Sequence, residues 1–375
     1  VVTRRQRQMC IRDSDKATAI GYQAEAAGSA AIAIGRVAFA GSNSSIVIGD
    51  EVTSNDIGGI AMGQNAVSIG TGATAFGKDV TANGTGSFHP FGGSAAIGSN
   101  CTAIGSGSTS IGGYCTSNGD GAIAGGFACQ ATGWAAIAMG VESSANGEGA
   151  TAMGAEATAN GDYSYALGGY STAVGDGAIT LGTNLTSQAN NSITIGHAVF
   201  YSSGLVNAIP NSLMIGFNST VPTFFISGSE TDSTTGKVGI ATTNPKGDFH
   251  VNGIAVFGDT TFSIPPGYSI YAQHGILTQK LKVALPDSID WSDFVFKPGY
   301  RPMSIAEKVA FAKKHHHLPG IPSAQELTKT GIDVVKMDAM LLKEIEEIWL
   351  HLAELKKENE QLKACLLYTS DAADE

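Results

Sequence analysis

The sequence predicts a mainly β repeat protein: a parallel β-roll wound in 14-residue coils, then a set of short strands, a short α segment and a C-terminal coiled-coil helix. Two observations carry this. Glycine recurs on a strict beat through nearly half of the 375 residues, and fixed-period self-similarity marks a repeat architecture. Near the C-terminus, apolar residues alternate by four and three, the spacing of a heptad seam.

The beat falls at Gly21, Gly35, Gly49, Gly63 and Gly77, resumes at Gly98 and Gly112, and continues at Gly140, Gly154, Gly168, Gly182 and Gly196. Each follows an Ile, Leu, Met or Phe, whereas Gly126 keeps the step without one. A second series includes Gly119, Gly133, Gly147, Gly161 and Gly175. The stretch Ala136-Ile137-Ala138-Met139-Gly140 alternates large and small residues over too short a span for a helix, so it reads as a strand. The intervening Ser143-Ser144-Ala145-Asn146-Gly147 carries Asn-Gly, a turn signal because both residues tolerate positive φ. Each coil is therefore two short strands and two tight corners. Such a coil cannot bury an apolar face alone, whereas stacked coils bury a continuous core and pair strands above and below at roughly 4.8 Å.

So thin a roll is expected to hold Ile or Met from one side and little more than Ala from the other. Ala31, Ala122, Ala136, Ala150 and Ala178 then form a small-residue face opposite Ile32, Ile123, Ile137, Thr151 and Ile179. An all-small outer face suggests close approach of another surface, with three rolls side by side as the simplest packing.

These strands on a 14-residue beat resemble the head of YadA-type trimeric autotransporter adhesins over about 200 residues. The resemblance implies a left-handed parallel β-roll, a homotrimer, and an extracellular place on a bacterial surface. It leaves the ligand open: a host-surface or matrix protein, or a glycan.

Composition narrows the function further. Charged residues make up 15% of the chain and the net charge is −11. The roll carries only Lys16, Arg36 and Lys78 against 12 acids, so it has no basic stripe for nucleic acid. No apolar run reaches membrane-spanning length. Residues 1–14 and 365–375 resemble a translated sequencing adapter read from its two ends. They are set aside as processing scars, with a basic arm and an ordinary tail as the alternative. The expected organisation is a β-roll head over 15–227, a β collar over 228–285, a helix-and-turn module over 286–336 and a coiled coil over 337–364.

Taken in order, the coils run to Gly77, and the next strong glycine is Gly98, 21 residues on. A seven-residue excursion containing Phe88, His89, Pro90 and Phe91 restores the phase, since Pro90 cannot donate to a central ladder. Phe88, His89 and Phe91 are candidate ligand-binding residues at a recognition tip; the alternative is a kink packed on its neighbour. Cys101, Cys115 and Cys129 share one column. They read as buried thiols acting as small hydrophobes, an inter-coil disulfide, or a metal site, although three thiols without a nearby His make poor zinc geometry. Asp120, Glu142, Glu148, Glu156, Asp162 and Asp176 lie at or beside corners, as a solvated acidic rim or as weak calcium ligands. Trp134, Phe127, Tyr163, Tyr165 and Tyr170 occupy the same coils. They suit sugar or protein contact, or core packing, and Trp134 is the candidate ligand-binding residue among them.

Phe224-Phe225-Ile226 is expected to cap the roll. Gly236-Lys237-Val238-Gly239-Ile240 then opens a segment resembling one in phage tail-fibre proteins and in surface proteins of Bacteroidetes-type bacteria. Short strands at 254–257, 268–271 and 276–283 look like a trimeric β collar. Trp291-Ser292-Asp293-Phe294-Val295-Phe296 and His317-Leu318-Pro319-Gly320-Ile321-Pro322-Ser323 resemble a C-terminal module of the same proteins, with a turn packed under a coiled coil. Ser304 and Glu307 form a capping-box pair, which predicts a helix over 305–314. His315, His316 and His317 are adjacent and point different ways, which argues against a metal site. Leu341, Ile345, Ile348, Leu352, Leu355, Asn359 and Leu362 form the seam. Ile348 at a d position leans away from dimers, and Asn359 at an a position sets register.

No nucleophile-elbow, zincin, phosphate-loop or dinucleotide motif occurs, so no enzyme and no cofactor are expected. The expected function is adhesion or receptor binding by a trimeric surface fibre. The alternative is a phage or injection-device tail fibre with a C-terminal folding or self-processing chaperone. Ser292-Asp293 is not followed by the Arg-Leu-Lys of that chaperone's signature.

Overall fold

The computed structural model describes residues 15–84, 92–198, 204–229, 235–258, 267–273, 275–283 and 291–371, with side chains to 365, and the backbone of Ile11–Arg12. Contacts divide the chain into Val1–His274 and Gly275–Glu375.

The first unit is the parallel β-solenoid. One sheet stacks strands of mostly five residues, such as Ile137–Val141 and Thr151–Ala155. The other stacks mostly two-residue strands, such as Ser144–Ala145 and Thr158–Ala159, and has 14 strands. Register advances by one repeat per coil: Ile137 pairs with Thr151, and Gly140 with Gly154. Ile11 pairs with Glu25, so the step reaches into the segment set aside at the N-terminus. Thr74 pairs with Ala95 and Thr81 with Thr102, which is the one-and-a-half-coil step expected around residues 85–91. Ile193 pairs with Leu213, a second lengthened step.

The beat glycines have two physical causes. Gly140 has φ of 132°, and a Cβ there would lie 2.2 Å from the Gly154 carbonyl oxygen. Only glycine combines that backbone with that approach. The corners turn at other residues than Asn-Gly suggests. Positive φ falls at Glu142 and Gly149, not at Asn146 and Gly147. Gly147 is glycine because a Cβ would come 2.0 Å from the Gly161 carbonyl oxygen. Asn146 belongs to a side-chain ladder, accepting from Thr132 Oγ1 at 2.8 Å and donating Nδ2 to Asn160 Oδ1 at 2.8 Å. The left-handed Glu142 is held by its N–H, which donates to the Phe127 carbonyl one coil back at 2.8 Å.

The interior reverses the expected assignment of faces. Ala122, Ala124, Ala136, Ala138, Ala150 and Ala152 are fully buried inside the roll, while Ile123 is 40% and Met139 43% exposed. The two sheets lie so close that the core accepts Ala, Ser, Thr, Cys or Val, and the bulky residues are forced outward. The small-residue face is thus the protein's own core, and the face open to another surface is the large apolar one.

Leu185, Leu205, Met214 and Phe225 enlarge the core at the last coils. Phe224–Ile226 pairs antiparallel with Leu213–Phe217, breaking the parallel stack. Phe225 is buried among these residues, so the expected cap is present. Val238–Ile240 and Phe249–Val251 continue this sheet, and Ala255–Phe257 pairs with Ile270–Ala272. The strand expected over 276–283 does not form; those residues have no regular structure.

The second unit holds a 3-10 turn at Ser292–Phe296 and helices α1 (Ile305–His315), α2 (Ala324–Thr330) and α3 (Val334–Asp371). Ser304 and Glu307 make the expected capping box on α1. A second box, Ser323 with Glu326, starts α2 just beyond the Pro319-Gly320 turn.

Candidate interaction surfaces

The roll presents two unlike sheet faces. Outside the long-strand sheet, Ile20, Phe76, Ile97, Ile111, Met139 and Met153 stack in one column, each between 37% and 56% exposed. Outside the short-strand sheet, Thr102, Thr116, Thr158, Thr172 and Thr186 stack beside Asn118, Asn146 and Asn160. One face is suited to burial, the other to water.

The corners carry the candidate ligand-binding side chains. Trp134 and Tyr163 are each 56% exposed, and Phe127, Tyr165 and Tyr170 are exposed as well. None of these aromatics fills the core. Phe127 meets Tyr114 edge to face at 5.6 Å on the corner that follows the long strands. Trp134 and Tyr163 lie on the opposite corner. Tyr163 donates its hydroxyl to Glu148 Oε1 at 2.6 Å, and that carboxylate pushes the phenol's pKa up. Phe88, His89 and Phe91 lie outside the described residues.

Several corner acids have work within the fold. Asp120 Oδ1 accepts from Ser106 N at 2.8 Å, Asp162 Oδ1 from Glu148 N at 2.8 Å, and Asp176 Oδ1 from Asp162 N at 3.1 Å. Each carboxylate thus satisfies a backbone donor one coil back. The thiols do similar work inside. Cys101, Cys115 and Cys129 are buried and free. Their Sγ atoms lie 3.1–3.2 Å from the carbonyl oxygens of Gly112, Gly126 and Gly140. Burial pushes the Cys115 thiol up to about 11.

In the second unit, the seam residues Leu341, Ile345, Ile348, Leu352, Leu355 and Leu362 are 44–63% exposed along α3, with Trp349 at 66% beside them. The other side of α3 carries a cluster that sequence reading missed. Lys308 Nζ lies 2.5 Å from both Glu344 Oε2 and Glu347 Oε2, and Tyr300 donates its hydroxyl to Glu347. Burial opposes the charges, but the partners win: Lys308 is held above, and Glu347 below, its ordinary pKa. Residues 36 to 47 apart in sequence meet here, so no local motif could reveal it. His315 stacks on Phe311 at 4.3 Å, His317 meets the same ring edge-on, and His316 closes α1 with φ of 63°. Among the described residues, no group of three or more His, Cys, Asp or Glu side chains could hold a metal ion. No described helix is long and apolar enough to cross a membrane.

Comparison with known families bears on the roll. The family model described as YadA head domain repeat (2 copies) matches residues 14–38, 61–87, 131–157 and 159–184. No curated protein matches the chain. The matched stretches fall on coils before and after the interruption at 85–91, so YadA head domain repeats occur in both parts of the solenoid.

Proposed function

We propose that this chain is a non-enzymatic, homotrimeric surface fibre whose β-roll head serves adhesion or receptor binding outside the cell, with α3 as its trimerising coiled coil. The carrying observation is the apolar column outside the long-strand sheet. The core is already filled by small residues, so Ile111, Met139 and Met153 have no role inside the coil that bears them. The family repeats support a surface-displayed adhesin head. The exposed stripe from Leu341 to Leu362 supports helix association at the other unit. Sedimentation equilibrium of the intact chain, paired with adherence of coated beads to host cells or matrix, tests the reading. A trimer that retains beads is the expected result; a folded monomer, or a trimer that retains none, rejects it.

A further inference from the structure

We infer that the corner edge carrying Trp134 and Tyr163 docks cationic side chains, lysine or arginine, of an extended segment in a partner protein. The inference rests on the adhesive reading and supplies the ligand chemistry for it.

Both aromatics differ from the residues that flank them in their columns. Asp120, Trp134, Glu148, Asp162 and Asp176 succeed one another at one corner, coil by coil. In this column a side-chain oxygen of one coil accepts the backbone N–H of the coil before, as at Asp120, Asp162 and Asp176, and again where Asn190 Oδ1 accepts from Asp176 N at 3.1 Å. An indole is a donor only, so Trp134 offers the Asp120 N–H nothing. Tyr163 stands in the next column, between Gly149 and Gly177, with φ of 56°. A bulky residue with positive φ is a backbone outlier. Its ring lies over Gly149, where an added Cβ would meet Cδ1 at 2.9 Å, and its hydroxyl is fixed on Glu148. Two exposed rings therefore bracket the Glu148 corner at the expense of local stability.

The charge around them selects the occupant. Residues 79–236 contain no Lys or Arg, while Asp120, Glu142, Glu148, Glu156, Asp162 and Asp176 lie in the coils that carry the rings. A potential of one sign repels anionic glycans and nucleic acid and gathers cations. A cation over an exposed indole is attracted by the ring quadrupole, and more strongly when desolvated. The rings are two coils apart, about 10 Å by strand spacing. Residues three apart in an extended peptide span about the same distance.

The test uses the intact chain, a Gly/Ser peptide with two lysines three residues apart, the same peptide acetylated on both lysines, and a neutral chitin oligosaccharide. Trp134→Asn restores the ladder acceptor without changing charge, and Tyr163→Gly matches its column, so both variants are expected to melt no lower than the parent. Each is expected to weaken lysine-peptide binding by about fivefold, and acetylation is expected to abolish it. Equal peptide affinity in parent and Trp134→Asn, retained binding of the acetylated peptide, or Trp134-dependent binding of the oligosaccharide alone overturns the inference. The two readings fail separately. Adherent beads that ignore Trp134→Asn sink the cationic site and spare the adhesin. Trp134-dependent peptide binding by a chain that adheres to nothing does the reverse.

Discussion

At the residue scale, two glycines with positive φ separate conformational from steric demands. Gly107 has φ of 66° and open space where a Cβ would point. Gly107→Ala should cost only the left-handed penalty, about 1–2 kcal/mol. Gly140→Ala meets both an unfavourable φ and a carbonyl oxygen at 2.2 Å. That carbonyl belongs to the next glycine of the stack, so relief requires parting two coils. Its cost should be about 4 kcal/mol or more, the range reserved for core disruption. Denaturant midpoints of the two variants check the order; equal midpoints would show that stacking does not hold the glycine beat in place. The thiol column gives a second residue-scale prediction. Cys101, Cys115 and Cys129 are buried, whereas Cys365 is exposed. Ellman's reagent should leave the three core thiols unmodified in the native protein at pH 8 and reach them after unfolding. Cys115 titrates at about 11, above its ordinary 9.0. Its contribution to stability is full below 9.0 and is lost as pH rises through about 11. Reactivity of these thiols in the folded roll at pH 8 would contradict the packing described.

At the scale of single elements, the α3 face that packs on the rest of its unit makes a testable electrostatic claim. Lys308 neutralises Glu344 and Glu347, whose side chains are 10% and 3% exposed. Lys308→Met should leave Glu344 without its cation and Glu347 with only Lys343, 3.6 Å away, and destabilise the unit by about 3 kcal/mol. Glu347 is held below its ordinary pKa, so its stabilisation is present at neutral pH and fades as pH falls through that depressed value. Glu346 has the opposite sign. Burial and the nearby Asp293 raise its pKa, and its Oε2 has no hydrogen-bond partner. Its ionised form therefore costs stability at neutral pH, a cost relieved on protonation. Glu346→Gln should raise the far-UV CD unfolding midpoint at pH 7 and change it little at mild acid. An unchanged midpoint at both values would show that Glu346 is already satisfied.

These elements also show what a sequence makes legible. The α1 helix was readable because Ser304 and Glu307 sit three apart and cap locally. The coils were readable because glycine spacing records a contact between neighbouring turns, Gly140 on Gly154. The faces were misread because alternation says that Ala138 and Met139 point opposite ways but not which way is inside. That depends on the distance between two sheets, which no single strand encodes. Of the candidate site residues, the α3 seam was legible from its heptad spacing, whereas the sequence left Trp134 between surface and core, because the side a corner ring takes depends on the width of the roll. The Lys308–Glu344–Glu347 cluster did not, because its members meet only after the helices pack.

At the scale of the whole molecule, the proposed trimer has two surfaces available to hold it together. The roll offers an outward apolar column and α3 offers a heptad stripe, and they lie in different units. Full burial of an Ile or Met side chain is worth about 1.5–3 kcal/mol, and covering one that is already about half buried contributes roughly half of that. Ile137→Lys with Met139→Lys removes two such side chains per chain without touching the Ala138 core, and should weaken trimer formation at least about a hundredfold. The roll should keep its β-sheet CD signal because the altered residues point out of the coil. Ile345→Lys with Leu352→Lys applies the same logic to α3, where both residues are about half exposed. If both surfaces hold the assembly, each pair shifts the sedimentation equilibrium toward monomer and the four changes together shift it further than either pair. If the helix alone does so, the roll pair leaves the mass unchanged, and the apolar column must then be covered by something other than a second copy of this chain.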